Sequence, residues 1–198
     1  FLDTDERKEF TKKNHDYLIT QVQRTNKLGL PVLDSTNPEK NVEFSLEFNH
    51  PIKELIWRVN SDHLNNLQIF KNMDFTDIIK DVILRANNLD FIKKQDSDFF
   101  SMIQPFEHHK CGGLIRQNIN NYFNGGLYVY SFSLKPEEYQ PSSNLNFSKL
   151  SNFSINFTYQ KTSNNLTKID ETYTLICYGI NYNILRIREG AAGLVYSN

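Results

Sequence analysis

The sequence predicts an all-β domain, a sandwich or a barrel, and three observations carry that prediction. Aromatic residues make up 13% of the chain, with 15 Phe and 10 Tyr against only 8 Gly, and aromatic and β-branched side chains suit pleated, half-buried surfaces. Several stretches alternate apolar and polar residues with period two, the mark of a strand that lays one face on a core. Pro, Gly and Asn-rich turns break these stretches at near-regular intervals, as in folds built from many short strands. At 198 residues one domain, or at most two small ones, is expected. A domain of that size buries roughly 70% of its extended-chain surface and needs no disulfides to complete a core.

Taken in order, the residues up to about Arg24 read as an N-terminal arm, and Lys27 to Lys40, with Gly29, Pro31 and Pro38, reads as a loop. From Val42 to Phe48 the apolar residues Phe44, Leu46 and Phe48 alternate with Glu43, Ser45 and Glu47. Pro51 has no N–H to donate, so that strand ends or bends at His50-Pro51. Alternation resumes with Leu55, Trp57 and Val59 against Ile56 and Arg58. Asp74 to Phe91 fits either a helix capped by Asp74 or a hairpin turning at Asn87-Asn88, and the hairpin is the preferred reading. Gly125-Gly126 introduces a strand from Leu127 to Leu134, with Tyr128, Tyr130, Phe132 and Leu134 on one face, that Pro136 stops. The cleanest alternation is Asn152 to Gln160, with Phe153, Ile155, Phe157 and Tyr159 on one side. Tyr173 to Ile187 carries large residues on both faces, which implies a strand covered on both sides. The turn chemistry of Thr162-Ser163-Asn164-Asn165 between these last two strands makes the pair read as a hairpin.

Charge and composition exclude several functions. The 22 Lys+Arg and 23 Asp+Glu leave a net charge of -1, without the positive field that non-specific nucleic-acid binding draws on. No apolar run approaches the roughly eighteen residues that a spanning helix needs, so direct membrane insertion is not expected. The chain opens on Phe1, and the charged residues Asp3, Asp5, Glu6, Arg7, Lys8 and Glu9 that follow do not form a signal peptide. It reads as a processed product or a fragment. Cys111 and Cys177 have no CxxC partner and read as two free thiols in a reducing compartment.

Candidate chemistry is sparse, and no cofactor site is expected. His108, His109 and Cys111 have metal-ligand side chains, but no second cluster completes the four ligands of a closed zinc site, and a polar loop is the preferred reading. There is no GxSxG elbow and no phosphate-binding glycine loop. Gly190 to Gly193 follows a strand instead of opening a helix. Glu137 and Glu138, adjacent on an extended chain, point to opposite faces and do not converge on one bond. Sequons at Asn146, Asn152, Asn156 and Asn165 are weak evidence in so Asn-rich a chain. The aromatic strand face reads as core ahead of a sugar-binding platform.

Five stretches carry a resemblance. FSLEFNHPIKELIWRV (Phe44 to Val59) looks like the HPVKELIW segment of the major capsid proteins of nucleocytoplasmic large DNA viruses, and LYVYSFSLKPEEYQP (Leu127 to Pro141) is similar to that family's YSFALKPEEHQPSG. The terminus INYNILRIREGAAGLVYSN resembles NYNVLRIMSGMGGLAYSN, the opening FLDTDERKEF with HDYLITQVQ resembles the start of the family's second domain, and MIQPFEHHK looks like QPYQHHT. The resemblance implies an eight-stranded antiparallel jelly-roll sandwich with short helices in its loops. It implies that residues 1–198 are a single C-terminal jelly roll, with the N-terminal jelly roll of the full protein absent. It further implies a structural protein without catalysis, a homotrimeric, pseudo-hexagonal capsomer of an icosahedral virion shell, assembled in the host cytoplasm. The partners implied are the chain itself, neighbouring capsomers and minor capsid proteins, with no nucleic acid. His50, Pro51, Glu54, Leu55, Trp57, Tyr130, Phe132, Pro136, Glu137, Gln140, Pro141, Asn183 and Arg186 are the motif residues expected to set strand exits and subunit contacts. The rival readings are a glycan-binding, lectin-like sandwich, a metal hydrolase on the same scaffold, and a minor capsid protein of the same fold.

Overall fold

The computed structural model describes residues 3–31, 38–61, 79–110, 127–160 and 173–196. A short helix α1 (Thr4–Lys12) comes first, opened by a capping box in which Asp3 caps the helix and the Glu6 carboxylate accepts from the Asp3 N–H at 2.9 Å. Eight longer strands follow: β1 (His15–Leu30), β2 (Glu39–Ser45), β3 (Pro51–Ser61), β4 (Ile79–Ala86), β5 (Leu89–Asp96), β6 (Leu127–Ser131), β8 (Phe153–Gln160) and β9 (Tyr173–Arg188). Two short strands, β7 (Leu145–Asn146) and β10 (Ala191–Leu194), extend them. A π-helical turn (Phe99–Ile103) runs into the five-residue helix α2 (Gln104–His108) between β5 and β6.

The longer strands form two antiparallel layers, β1-β9-β3-β6 and β2-β8-β4-β5, with β10 added to β9 and β7 to β3. This is the expected sandwich, with two short strands beyond the eight among the described residues. Strands that alternate in sequence alternate in burial. Val42 and Phe44 of β2, Leu55 and Trp57 of β3, Val82 and Leu84 of β4, and Phe153, Ile155, Phe157 and Tyr159 of β8 all join one buried cluster with Tyr173, Leu175 and Cys177 of β9. Trp57 packs edge-on to Phe100 at 5.3 Å and stacks on Tyr128 at 6.0 Å. The Tyr128, Tyr130 and Phe132 face is thereby spent on the interior: Tyr130 and Phe132 meet at 5.1 Å, and Phe132 packs against Phe147 and Phe153. Burial raises the Cys177 thiol well above the ordinary cysteine range.

Several sequence expectations hold and others need correction. The 79–96 segment is the hairpin, turning on Asn87 and Asn88 at φ 53° and 64°, the left-handed pair that a tight two-residue hairpin turn requires. The helix alternative over Asp74 to Ile78 lies outside the described residues, as do Gly125-Gly126, Thr162 to Asn165 and Cys111. β8 and β9 do not form a hairpin: β8 has β2 on one edge and β4 on the other, so it has no free edge for β9, which lies in the opposite layer. Of the expected arm and loop, His15 to Leu30 is one strand paired along β9. The Leu127 strand stops at Ser131, and Leu134 projects into solvent, because Ser131 Oγ turns the chain by donating to the Ser133 carbonyl at 2.6 Å. The Gly190 region is the turn of a β9–β10 hairpin, with Glu189 and Gly190 both left-handed.

Candidate functional site

β3 starts directly after a left-handed residue. His50 (φ 69°) turns the chain, its N–H donating to Ser148 Oγ at 2.8 Å and its carbonyl accepting from Phe147 N at 3.0 Å. Pro51 then pairs with Asn146 at the end of β7. One step on, Ile52 and Glu54 oppose the consecutive residues Asn181 and Ile180 of β9, so Lys53 is the extra residue of a bulge. That bulge brings two consecutive polar side chains to different partners, Lys53 to the loop at Pro136 and Glu54 to His109 at the end of α2. The buried Lys53 ammonium donates to the Pro136 carbonyl at 2.7 Å and lies 5.5 Å from the centre of the Tyr182 ring; burial lowers its pKa. Glu54, also buried, receives His109 Nε2 at 2.5 Å.

His109 is held from both sides. Its Nδ1 lies 3.1 Å from Glu137 Oε1, and the other Glu137 oxygen accepts from the Lys110 N–H at 3.3 Å. The hydrogen bond to Glu54 is the main reason the imidazolium is favoured above the ordinary histidine range, with Glu137 adding to it. The Lys110 N–H, then His109, hold the Glu137 carboxyl below the ordinary range. With both ring nitrogens donating, His109 presents no free lone pair to a metal, and no group of three or more potential metal ligands occurs among the described residues. Glu137 and Glu138 sit in a turn and not on an extended chain, so the carboxylate that converges with Glu137 is Glu54, from another element. The remaining stitches are polar: Gln104 Oε1 accepts from Ser131 N at 3.1 Å in the interior, while nearer the surface the Ser133 and Ser142 hydroxyls meet at 2.7 Å and Ser142 Oγ accepts from Lys135 N at 2.9 Å. Pro136 is buried at the root of this loop, while Tyr139, Gln140 and Pro141 are exposed at its tip. A cleft of about 200 Å³ separates α2 from the loop, walled by His108, Leu134, Lys135 and Glu138.

The other motif residues divide by role. Leu55 and Trp57 are fully buried and Tyr130 and Phe132 pack against the same core. Asn183, 1% exposed, ties down the C-terminal segment: its Nδ2 donates to Gln21 Oε1 and to the Tyr196 carbonyl, both at 2.8 Å, and its Oδ1 accepts from Ile184 N and Tyr196 N. Arg186 makes a two-pronged pair with Asp16 across β9 and β1, at 2.8 and 2.9 Å. Sequence reasoning missed Lys53, Gln104, Ser131 and Ser142, and it did not join His109 to Glu54. The adjacent Lys53-Glu54 pair in a strand otherwise apolar toward the core was the one signal available.

A profile of the large eukaryotic DNA virus major capsid proteins matches residues 6–193. The chain belongs to that family. The major capsid protein of Pyramimonas orientalis virus is 30% identical over all of this chain and 47% of its own length; that of Paramecium bursaria Chlorella virus 1 is 29% identical over all of this chain and 52% of its own length. The chain thus spans about half the length of the curated relatives it matches. The solved structure of VP54 from that Chlorella virus superposes with a TM-score of 0.77 at 26% identity, covering all of this chain and 55% of that one. The Faustovirus major capsid protein, 13% identical, shares the fold alone at a TM-score of 0.60.

Proposed function

We propose that this chain builds a virus shell: it self-associates into trimeric, pseudo-hexagonal capsomers that tile the icosahedral capsid of a large double-stranded DNA virus, and it carries out no catalysis. The observation that carries this reading is the superposition of the whole chain on VP54 and, with a TM-score of 0.72, on a chain of the quasi-atomic capsid of the same virus. The physics of the site supports it. Lattice contacts demand loops that keep their shape while projecting from a stiff support, and the 132–142 loop is tied to β3 directly by Lys53 and, through His109 and Glu137, by Glu54, and leaves Tyr139 free at its tip. The polar groups that gather at this loop are spent on one another, with His109 held between two carboxylates, which is the chemistry of a tether. The aromatic residues that a lectin would display, Tyr128, Tyr130 and Phe132, pack into the core instead.

In this reading the chain works as the C-terminal jelly roll of a double jelly-roll protein, the other half of its relatives' length supplying the first. Its partners are other copies of itself, neighbouring capsomers and minor capsid proteins beneath the shell. It resides in the virion and is assembled in the host cytoplasm. Single-particle electron microscopy of the native protein, classified without imposed symmetry, tests the reading. Compact trimers with a hexagonal outline are the expected result, and monodisperse monomers at the same concentration overturn it.

A further inference from the structure

His109 stands where three separate stretches of chain meet. It caps the end of α2, its Nε2 lies 2.5 Å from Glu54 of β3, and its Nδ1 lies 3.1 Å from Glu137 of the 132–142 loop. Both neighbours are carboxylates, which only accept, so holding the two together takes an N–H on each ring nitrogen. The imidazolium has two. A neutral ring has one, and must turn a bare lone pair toward one of the carboxylates.

The two carboxylates differ in what that loss costs. The Glu54 side chain is 4% exposed, and deserting it leaves a buried charge without its partner. The Glu137 side chain is 37% exposed, so water takes the place of the bond. The single N–H of a neutral ring therefore stays with Glu54, and Glu137 is released. What then holds Glu137 is the Lys110 N–H at 3.3 Å, long for an N–H···O bond. The other ties of the loop do not depend on this proton. At its root Lys53 donates to the Pro136 carbonyl, Phe132 N donates to the Lys53 carbonyl at 2.9 Å, and the Ser133 and Ser142 hydroxyls meet. His108 Nδ1 faces the Leu134 carbonyl at 3.1 Å, a bond that a neutral imidazole makes as well as a charged one.

The other described charges bordering this cleft are Glu107, Lys110, Lys135 and Glu138, of which Lys135 and Glu138 pair with each other at 3.7 Å. Lys53, beside Glu54, is turned toward Pro136 and the Tyr182 ring. Glu54 and Glu137 are the charges that strengthen the hold of His109 on its proton, against burial, which weakens it.

We propose that His109 is a proton-operated latch: on losing its proton it lets go of Glu137 and frees the 137–141 tip of the loop, Tyr139 included, while Glu54 keeps α2 on β3 and Lys53 keeps the root of the loop in place. The latch is closed below the ordinary histidine value of 6.5 and opens as pH rises through the higher folded value. It goes beyond the shell reading and does not depend on it, since every contact it uses lies within one chain.

Hydrogen exchange of the intact capsid protein tests it, followed residue by residue by mass spectrometry from mildly acid to mildly alkaline pH, with each rate divided by the intrinsic chemical rate. Two amides report on the tip: Lys110 N, which donates to Glu137, and Glu138 N, which donates to the Lys135 carbonyl at 3.3 Å. Both are expected to lose protection by roughly tenfold or more, the worth of one charge-assisted hydrogen bond, with a midpoint above 6.5. The Ser131 and Phe132 amides, held by Gln104 and by the Lys53 carbonyl, keep theirs. Glu137→Gln removes the step, because a neutral ring with its N–H on Glu54 accepts at Nδ1 from the new amide and a charged ring donates to its carbonyl, so the tip is held at every pH. Protection that follows the intrinsic rate throughout, a loss shared equally by Ser131 and Phe132, or a step that survives Glu137→Gln each overturns the latch.

Discussion

Gly179 in the middle of β9 is the sharpest place to test how tightly the two layers are packed. A β-carbon built on it would lie 2.9 Å from Phe48 Cδ2, 3.0 Å from Phe48 Cε2 and 3.1 Å from Ile52 Cδ1. Two effects oppose each other in Gly179→Ala. Replacing glycine within a regular strand stabilises by roughly 0.5–1 kcal/mol, because glycine loses the most conformational freedom on folding, and the backbone here is not in the left-handed region. Forcing a methyl into a filled core costs about 1–3 kcal/mol. The clash wins, because neither neighbour can yield: Phe48 is 5% exposed with its ring against Phe147, and Ile52 is fully buried at the β3 bulge. The expected net loss is roughly 0.5–2 kcal/mol. In a domain of this size each kcal/mol lowers Tm by roughly 2–4 °C, which a calorimetric or circular-dichroism melt resolves. Phe48→Leu makes room, so the double variant is less destabilised than the two single losses summed. A Gly179→Ala protein that melts at or above the parent temperature refutes the reasoning.

Two further perturbations follow from the polar clasps. His109 gains affinity for its proton on folding, so its contribution is fully present below the ordinary histidine value of 6.5 and is lost as pH rises through the higher folded value. Glu137, whose pKa is lowered, contributes above the ordinary carboxylate value and loses that contribution as pH falls through its folded value; denaturant titrations across pH therefore show a plateau between those limits, and His109→Asn removes its alkaline shoulder and reduces the acid one to the part that the Lys110 N–H supplies. Asn183→Ala strips four hydrogen bonds at once and leaves the Gln21 amide and the Tyr196 backbone to find new partners. It destabilises by about 1–3 kcal/mol, and amide exchange at the 191–196 segment accelerates in the variant; unchanged exchange there means that Asn183 does not hold the terminus.

The layers were legible where local chemistry and tertiary environment agree. Phe153, Ile155, Phe157 and Tyr159 alternate because β8 lies at the centre of its sheet with one face on the core, and Asn87-Asn88 turns because Asn tolerates the left-handed region that a two-residue hairpin needs. The doubly covered strand was legible in part: Tyr173 to Cys177 are buried on both faces, whereas Tyr178, Ile180 and Ile184 to Ile187 are half-buried. The family followed from five motifs in order. These features are written within a few residues of one another, at a spacing set by the pleat.

Partnerships between distant segments were not legible. Nothing in a period-two pattern says which sheet a strand joins, so β8 and β9, neighbours in sequence, read as a hairpin although they line opposite layers. The clasp joins Glu54 to His109 across 55 positions and His109 to Glu137 across 28, and its members look like ordinary surface residues until folding brings them together. Periodicity thus decides which side of a strand meets the core, because that preference belongs to each residue's own hydrophobicity. Pairing and the tethering of the 132–142 loop depend on where the chain returns in space, and only the tertiary structure decides that.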